Sequence, residues 1–567
     1  MINQEYKGAE EEASLLKVKE KDAKYPAKIP GSDERVTWRN LPHKQQLLLL
    51  ALCRLSNPLT NGCLIPYIYY LVKSIASTPN DPSSEHLIPQ YTGFLIAAFP
   101  LGQMATSMLW GRLSDSYGRK PIIIFGLAVS VVSNIAFGFS RTIAALMFWR
   151  VLAGMVNGNL GVMRTMTAEI VKERKYQTRA FLVQPLMFNS GRVAALAIGG
   201  CLADPVKNIQ WLFGPKGILN VAGNFEGVAW MLKYPYALPA LFNGITLGIV
   251  LLFAFLGLKE SLPAKEDRFD PGLLIGKYLT RFLKIHILRK YSTFYTPVQI
   301  EDPDVVIDDA PIPSNCLRPI PSSQPHSPRP TFRKMWTRHL LITLFSFFLL
   351  PLHNSTFTHL FPVYLCMPTF PNPHPSLFHF AGGLGLASPS VGLYLAAFGV
   401  CGILLQLFIF PHVQQRIGTL GCLRLANCVF PVVYLFAPYL SLLAERRFAK
   451  WPAMGGVLFM QVMARTTAIP SSVVLLNEAA PAKNVLGTVH GAGNMVNAMA
   501  SACGPIIGGI LLALGRKVGV VGVVWWGWLF LVSVMAGVWS WGVMGMREDG
   551  EEEVQETGRE KGKEEGC

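Results

Sequence analysis

Charged side chains are scarce in this 567-residue chain: Asp, Glu, Lys and Arg make up 15% of it, against 51% hydrophobic residues. A soluble domain is about a quarter charged, so this composition belongs to a chain largely immersed in lipid, with polar tails. Acid is scarcer still inside the apolar runs. Outside the tails and one central polar stretch, the acids are Asp81, Glu85, Asp115, Glu169, Glu173, Asp204, Glu226, Glu445 and Glu478, all in loops or at the ends of runs. A carrier of zinc or organic cations would want acidic or imidazole ligands along its path, so such cargo is disfavoured. The ten cysteines contain no CxxC, and most, like Cys53, Cys201, Cys401 and Cys503, sit in apolar runs as small hydrophobes. No metal site and no cofactor are expected. Cys567 is the last residue, so no prenylation box is expected. There is no GxxxxGK[ST] loop to make ATP the energy source, and neither HExxH nor GxSxG to make a membrane hydrolase.

What the chain has is a series of apolar runs, each near the 20 or so residues that cross a bilayer as helix. Twelve are read: 46–73, 92–110, 121–140, 143–166, 180–202, 234–257, 339–366, 389–411, 420–443, 451–476, 485–513 and 521–545. Soluble helices of such length would alternate polar faces, and most of these runs do not. The predicted fold class is an all-α membrane protein with 12 transmembrane helices in two six-helix bundles. The bundles are placed at 46–258 and 339–546, the cytoplasmic tails at 1–45 and 547–567, and a central cytoplasmic loop at 259–338. In that loop Lys277, Arg281 and Lys284 recur beside Leu274, Tyr278, Leu279, Phe282 and Leu283, which predicts a basic amphipathic helix on the inner membrane surface. Asp309 to Pro330 is proline-rich and reads as a disordered tether. The acidic stretch Glu548 to Glu565 reads as a solvated tail.

The net charge of +16 does not imply nucleic acid, because basic residues gather beside span ends: Lys28, Arg35, Arg39 and Lys44 at the first, Arg329, Arg333, Lys334 and Arg338 at the seventh. Such residues stay cytoplasmic, so both termini are placed inside. Residues 1–45 are polar and charged, so no cleaved signal peptide is expected and insertion begins at an internal span. Trp525, Trp526 and Trp528 at one end of the last run, with Trp539 and Trp541 at the other, match the two aromatic belts of a bilayer.

Between the second and third runs stand Gly111 to Lys120, reading GRLSDSYGRK. Two glycines and three basic residues there predict a tight cytoplasmic turn. Asp115 is placed to meet a helix N-terminus or a neighbouring Arg. The pattern G-x-L-x-D-x-x-G-R-K resembles the signature loop of the major facilitator superfamily. Trp110 before it narrows the likeness to the twelve-span drug:proton antiporters and their fungal zinc-induced-facilitator-like relatives, although Ser116 stands where those carry Lys or Arg. The resemblance implies the major facilitator fold and a conformational role for Gly111, Asp115, Gly118, Arg119 and Lys120, with Asp115 and Arg119 bracing the two halves in one state of the cycle.

Other stretches carry the same resemblance, some in altered form. Arg150 and Gly154 match the superfamily's R-x-x-x-G, whose Arg is linked to proton coupling. Ala500, Gly504, Pro505, Gly508 and Gly509 resemble the antiporter motif G-x-x-x-G-P-x-x-G-G, but in span 11; span 5 keeps Gly191, Gly199 and Gly200 and has Ala195-Leu196 in place of Gly-Pro. Arg54 to Pro58 resembles the fungal R-L-x-E-P with Asn57 at the acidic position, and the C-P-G-C of plant relatives is absent. PHVQQRIGTL, 300 positions after GRLSDSYGRK, keeps Gly418 where Gly118 stands and reads as a decayed internal copy.

Five arginines sit within the runs: Arg54, Arg150, Arg164, Arg192 and Arg465. A charge in a span is costly unless it faces a bundle interior or a wet cavity, so each is a functional candidate. Arg54, Asn57 and Asn61 share a helix face in span 1, as do Arg150, Gly154, Asn157, Gly161 and Arg164 in span 4, and His490, Asn494, Asn497 and Ser501 in span 11. Span 7 adds His353, Asn354 and His359. The alternative is that such stripes join helices through small residues and interhelical hydrogen bonds. For spans 1 and 4 a cavity is favoured, since the resemblance implies that spans 1, 4, 7 and 10 line the central path. The candidate cavity residues are Arg54, Asn57, Asn61, Asn157, Arg192, His353, Asn354, Arg465, Asn494 and Asn497. Coupling and conformational roles are assigned to the signature loop with Arg150, Arg164, Glu169, Gly504 and Pro505.

A path offering Arg and Asn suits anionic or neutral polar solutes. The expected function is secondary transport by alternating access, with a proton-coupled exporter of drug-like or anionic organic solutes as the leading form. Its alternatives are an uncoupled or importing facilitator, or a transport-inactive receptor or scaffold on the same fold. The expected partners are a small-molecule substrate, protons and the lipid bilayer, not nucleic acid; the expected state is a monomer in the plasma or vacuolar membrane. With no acid in the runs, protons would have to use His353, His359, His490 or Glu169.

Overall fold

The computed structural model describes residues 40–76, 82–157, 160–171, 173–221, 223–262, 265, 269–286, 336–370, 378–446, 448–481 and 486–542. The tail before residue 40, the proline-rich stretch 309–330 and the acidic tail from Glu548 lie outside the described residues. Among the described residues the chain is helical, with one isolated antiparallel bridge, Thr369 to Gly382.

The first apolar run holds three short helices, α1 (Lys44–Cys53), α2 (Ser56–Gly62) and α3 (Ile68–Ala76), rather than one. Pro58 is tolerated in the first turn of α2, and Pro66 between α2 and α3 lacks the N–H a continuous helix would need. Then come α4 (Ile88–Tyr117), α5 (Arg119–Gly138), α6 (Ile143–Val156), α7 (Leu160–Ile170), α8 (Arg174–Leu202) and α9 (Ala237–Gly257). The Thr142 hydroxyl caps α6 by accepting from the Ala145 N–H at 3.2 Å. The expected amphipathic helix is present as α10 (Pro271–His286), packed on α9, with Ile275, Tyr278 and Phe282 exposed. The chain continues with α11 (Arg338–Cys366), α12 (Ser388–Leu404), a π-helical turn Leu405–Ile409, α13 (Phe410–Phe436), α14 (Lys450–Glu478), α15 (Leu486–Val518) and α16 (Leu531–Gly542).

Among the described residues nine helices are long and apolar enough to cross a membrane, or ten if Glu85–Ser107 and Leu109–Tyr117, bent by 51°, count as one crossing. One of the nine, Ser388–Leu443, contains a non-helical break at Gly418. Large apolar side chains stay exposed along these helices, among them Phe125, Phe148, Leu252 and Val538. In water such a surface would associate; facing lipid it needs no cover.

The helices before and after the central stretch meet along two seams, α4 on α15 and α8 on α12. Both are fitted backbone to backbone through glycine. A Cβ on Gly93 would fall 2.3 Å from the Pro505 carbonyl oxygen, and one on Gly200 would fall 2.6 Å from the Ser388 carbonyl oxygen. Each contact lies at the end of the molecule away from GRLSDSYGRK. Polar ties at that same end reinforce the seams: the Tyr70 hydroxyl donates to the Leu386 carbonyl at 2.7 Å, and Arg516 holds both the Glu85 carbonyl (2.7 Å) and its carboxylate (3.1 Å).

Candidate functional site

On the loop side of these ties, the two sets of helices enclose a cavity of about 380 Å³. Its walls come from the α1–α3 segment, α7 and α8 on one side and α11, α12, the π-helical turn and α14 on the other. Four guanidiniums face it: Arg54, Arg164, Arg192 and Arg465. Among the described residues, no Asp or Glu lines it. The Arg54 guanidinium lies over the Phe188 ring, 4.8 Å from its centroid. Arg54 senses the charge of Arg164, and Arg192 that of Arg465.

Carboxamides complete the polar lining. Asn189 donates to Gln406 across the cavity at 3.2 Å, joining α8 to the π-helical turn. Gln461 donates to Asn354 at 3.2 Å, and Gln184 donates to the Met163 carbonyl (3.0 Å) and the Thr167 hydroxyl (2.6 Å). Sequence reasoning missed Gln184, Phe188, Asn189, Gln406 and Gln461. Most were within reach of the stripe rule used for span 1, since Gln184, Phe188 and Arg192 recur every four residues on α8, as do Gln461 and Arg465 on α14.

Several expected residues lie off this cavity. Asn61 donates to Asn57 at 3.4 Å, one turn apart on broken α2, and neither lines the cavity. Asn157 is buried at the end of α6, its amide without a partner among the described residues. His353 is buried and hydrogen-bonded to the Tyr434 hydroxyl at 2.8 Å, edge-on to Phe430 within the aromatic core. Asn354 is not itself in the lining but meets two lining residues, accepting from Gln461 and, through its carbonyl, from the Thr358 hydroxyl at 2.7 Å. Asn494 and Asn497 also stand outside the lining, because α15 turns its small-residue face to α4 and α11: a Cβ on Gly504 would lie 2.4 Å from the Leu352 carbonyl oxygen. Gly504 and Pro505 are thus contact points of these helices. Arg150 is buried away from the cavity, donating to the carbonyls of Thr60 (3.1 Å) and Leu95 (3.4 Å), with the Phe99 ring 5.2 Å away.

The signature loop is shorter than expected. α4 runs to Tyr117 and α5 begins at Arg119, so Gly118 alone makes the turn, at φ 107°. Gly111 is helical with open space around it, so close approach is not its role. Asp115 pairs with Arg119 at 2.6 Å, while the α5 N-terminus is taken by Glu260, which accepts from the N–H groups of Arg119 (2.8 Å) and Lys120 (3.1 Å). Arg119 also pairs with Glu169 at 3.1 Å, Glu169 accepts from the Ser261 hydroxyl, and Lys120 pairs with Asp270 at 2.5 Å. In this conformation Asp115 and Arg119 brace the loop to helices and linker of their own half. Gly418 also has positive φ, 72°, so the decayed copy keeps the turn's conformation although Gln415 and Thr419 replace Asp115 and Arg119. Among the described residues no group of three or more His, Cys, Asp or Glu is placed to hold a metal.

The sequence model of the Major Facilitator Superfamily matches residues 50–373. A relative from Aspergillus fumigatus, the major facilitator superfamily multidrug transporter mfsB, is 32% identical over 520 residues, 87% of this chain and 82% of its own. The protein zinc induced facilitator-like 1 of Arabidopsis thaliana is 24% identical over 80% of this chain and 81% of its own. Among solved structures, the human organic anion transporter MFSD10 (TETRAN) aligns with 87% of this chain and 99% of its own, at 16% identity and a TM-score of 0.50, a likeness of fold. The chain belongs to the major facilitator superfamily and is an integral, multi-pass membrane transporter, not an enzyme.

Proposed function

We propose that this transporter carries anionic or drug-like organic solutes by alternating access. Four cavity-facing guanidiniums without a lining carboxylate carry this reading, because such a surface favours an anion and repels an organic cation. Twelve spans are proposed, since the broken α1–α3 segment is long enough for one crossing and the turn at Gly418 divides Ser388–Leu443 into two. They form bundles at 46–258 and 339–546 around the cavity, with 259–338 and both termini cytoplasmic, in a monomer of the plasma or vacuolar membrane. The conformation is then closed outside, by the glycine seams and the Arg516–Glu85 tie, with its cavity on the cytoplasmic side.

Drug-like cargo agrees with the name of the Aspergillus fumigatus relative, a multidrug transporter, and export in exchange for protons is the leading form. A second reading, transport without proton coupling, is favoured by two observations: no acid among the described residues lines the cavity, and His353 and Glu169 are engaged elsewhere. Counterflow of a labelled organic anion in proteoliposomes tests transport itself. Substituting Arg192→Gln or Arg465→Gln should lower exchange at least about tenfold, the loss of roughly one charge-assisted contact. Unchanged exchange at normal protein amounts would refute the cavity assignment, and no exchange by the wild type would favour a scaffold. Collapsing the pH gradient with an ionophore separates the coupled from the uncoupled form.

A further inference from the structure

The four cavity arginines sort into two levels. On α8, Arg192 stands four residues beyond Phe188, one helical turn or about 6 Å along the axis. Arg54 stacks on that Phe188 ring, so it lies about one turn nearer the loop end than Arg192. Arg164, in the middle of α7, repels Arg54, as Arg465 on α14 repels Arg192. Each level is a pair of like charges, and neither has a lining carboxylate as counter-ion. Removing such charges from water costs several kcal/mol each unless an anion meets them. A monoanion would satisfy one level and leave the other repelling itself.

We infer that the cavity is built for an elongated organic dianion, one acidic group between Arg192 and Arg465, the other between Arg54 and Arg164, and a flat apolar middle against Phe188. This deepens the anion reading above and rests on it. Guanidinium forks grip carboxylates, sulfonates and phosphates in two-point contacts, which suits both ends. Between the levels Phe188 offers a ring face, and Phe357 and Phe361 of α11 also line the cavity. A volume of about 380 Å³ is within the range of small-molecule sites.

Isothermal titration of the purified full-length chain with naphthalene-2,6-dicarboxylate and naphthalene-2-carboxylate tests this, since the two share a ring and differ in one charge. The dicarboxylate is expected to bind one per chain and at least about tenfold more tightly, and Arg54→Gln is expected to collapse that ratio while Arg54→Lys keeps most of it. Equal affinities, or two monoacids bound per chain, would overturn the dianion inference and leave the anion reading standing. If neither acid binds, or tetraphenylphosphonium binds in their place, both fall together.

Discussion

Gly118 concentrates two demands in one residue. Its φ of 107° is open to glycine and strained for any other residue, and a Cβ there would fall 2.6 Å from Glu260 Oε2. That carboxylate cannot easily retreat, because it also accepts from the N–H groups of Arg119, Lys120 and Leu262. Gly118→Ala is therefore expected to destabilise the protein by about 1–3 kcal/mol. Gly111→Ala, in open helix, should be neutral or stabilise by up to about 1 kcal/mol. Thermal unfolding of the two purified variants checks this, and equal shifts would contradict it. The same logic explains why Asp115 does not cap α5. It lies in the last turn of α4, close enough to Arg119 for a 2.6 Å ion pair, while Glu260 arrives from across the chain to fill the helix N-terminus.

Among elements, the glycine seams matter most for motion. Where backbones touch, there is no side chain to adjust, so a contact of this kind is either made or broken. Gly93→Val places a methyl-bearing carbon on the Pro505 carbonyl oxygen, and overpacking of this sort costs about 1–3 kcal/mol. In a two-state cycle that is roughly a 5- to 150-fold shift in population. Counterflow by Gly93→Val should fall accordingly, with protein amount unchanged. Gly456→Ala on α14 meets open space and serves as the control, with no expected loss. Loss in both variants would mean that helical glycines in general, not the seam, limit transport.

For the whole molecule, the Arg516–Glu85 tie joins the end of α15 to the turn before α4, with Lys73 also on Glu85 at 3.1 Å. Glu85 is about one-third exposed, so solvent screening holds the pair to about 1 kcal/mol or less. Even that is up to a fivefold shift between states. Glu85→Gln is expected to speed labelling of a cysteine placed at Thr358, on the cavity wall, by an impermeant maleimide added outside, in a background without reactive cysteines. An unchanged rate in a folded variant would show that the glycine seams alone hold that end shut.

The class of solvent, the helical build, the signature turn and the arginines as the charged residues of the interior were all legible along the chain. Each follows from local chemistry: apolar length, a glycine beside an Asp and an Arg, a charge with no acid near it in the run. It also marked Arg54, Arg164, Arg192 and Arg465, which the structure gathers around one cavity from four separate segments. Which face of each helix meets that cavity depends instead on packing in three dimensions. Arg150 and Arg164 share a stripe, yet Arg150 on α6 turns to backbone carbonyls while Arg164 on α7 faces the open space. His353 and Asn497 satisfy the same polar-in-span rule but point elsewhere, one into the aromatic core and the other away from the cavity. Periodicity fixes residues relative to their own helix axis; the rotation of that axis is set by packing against distant neighbours, such as Gly93 on Pro505, and no single run of sequence encodes it.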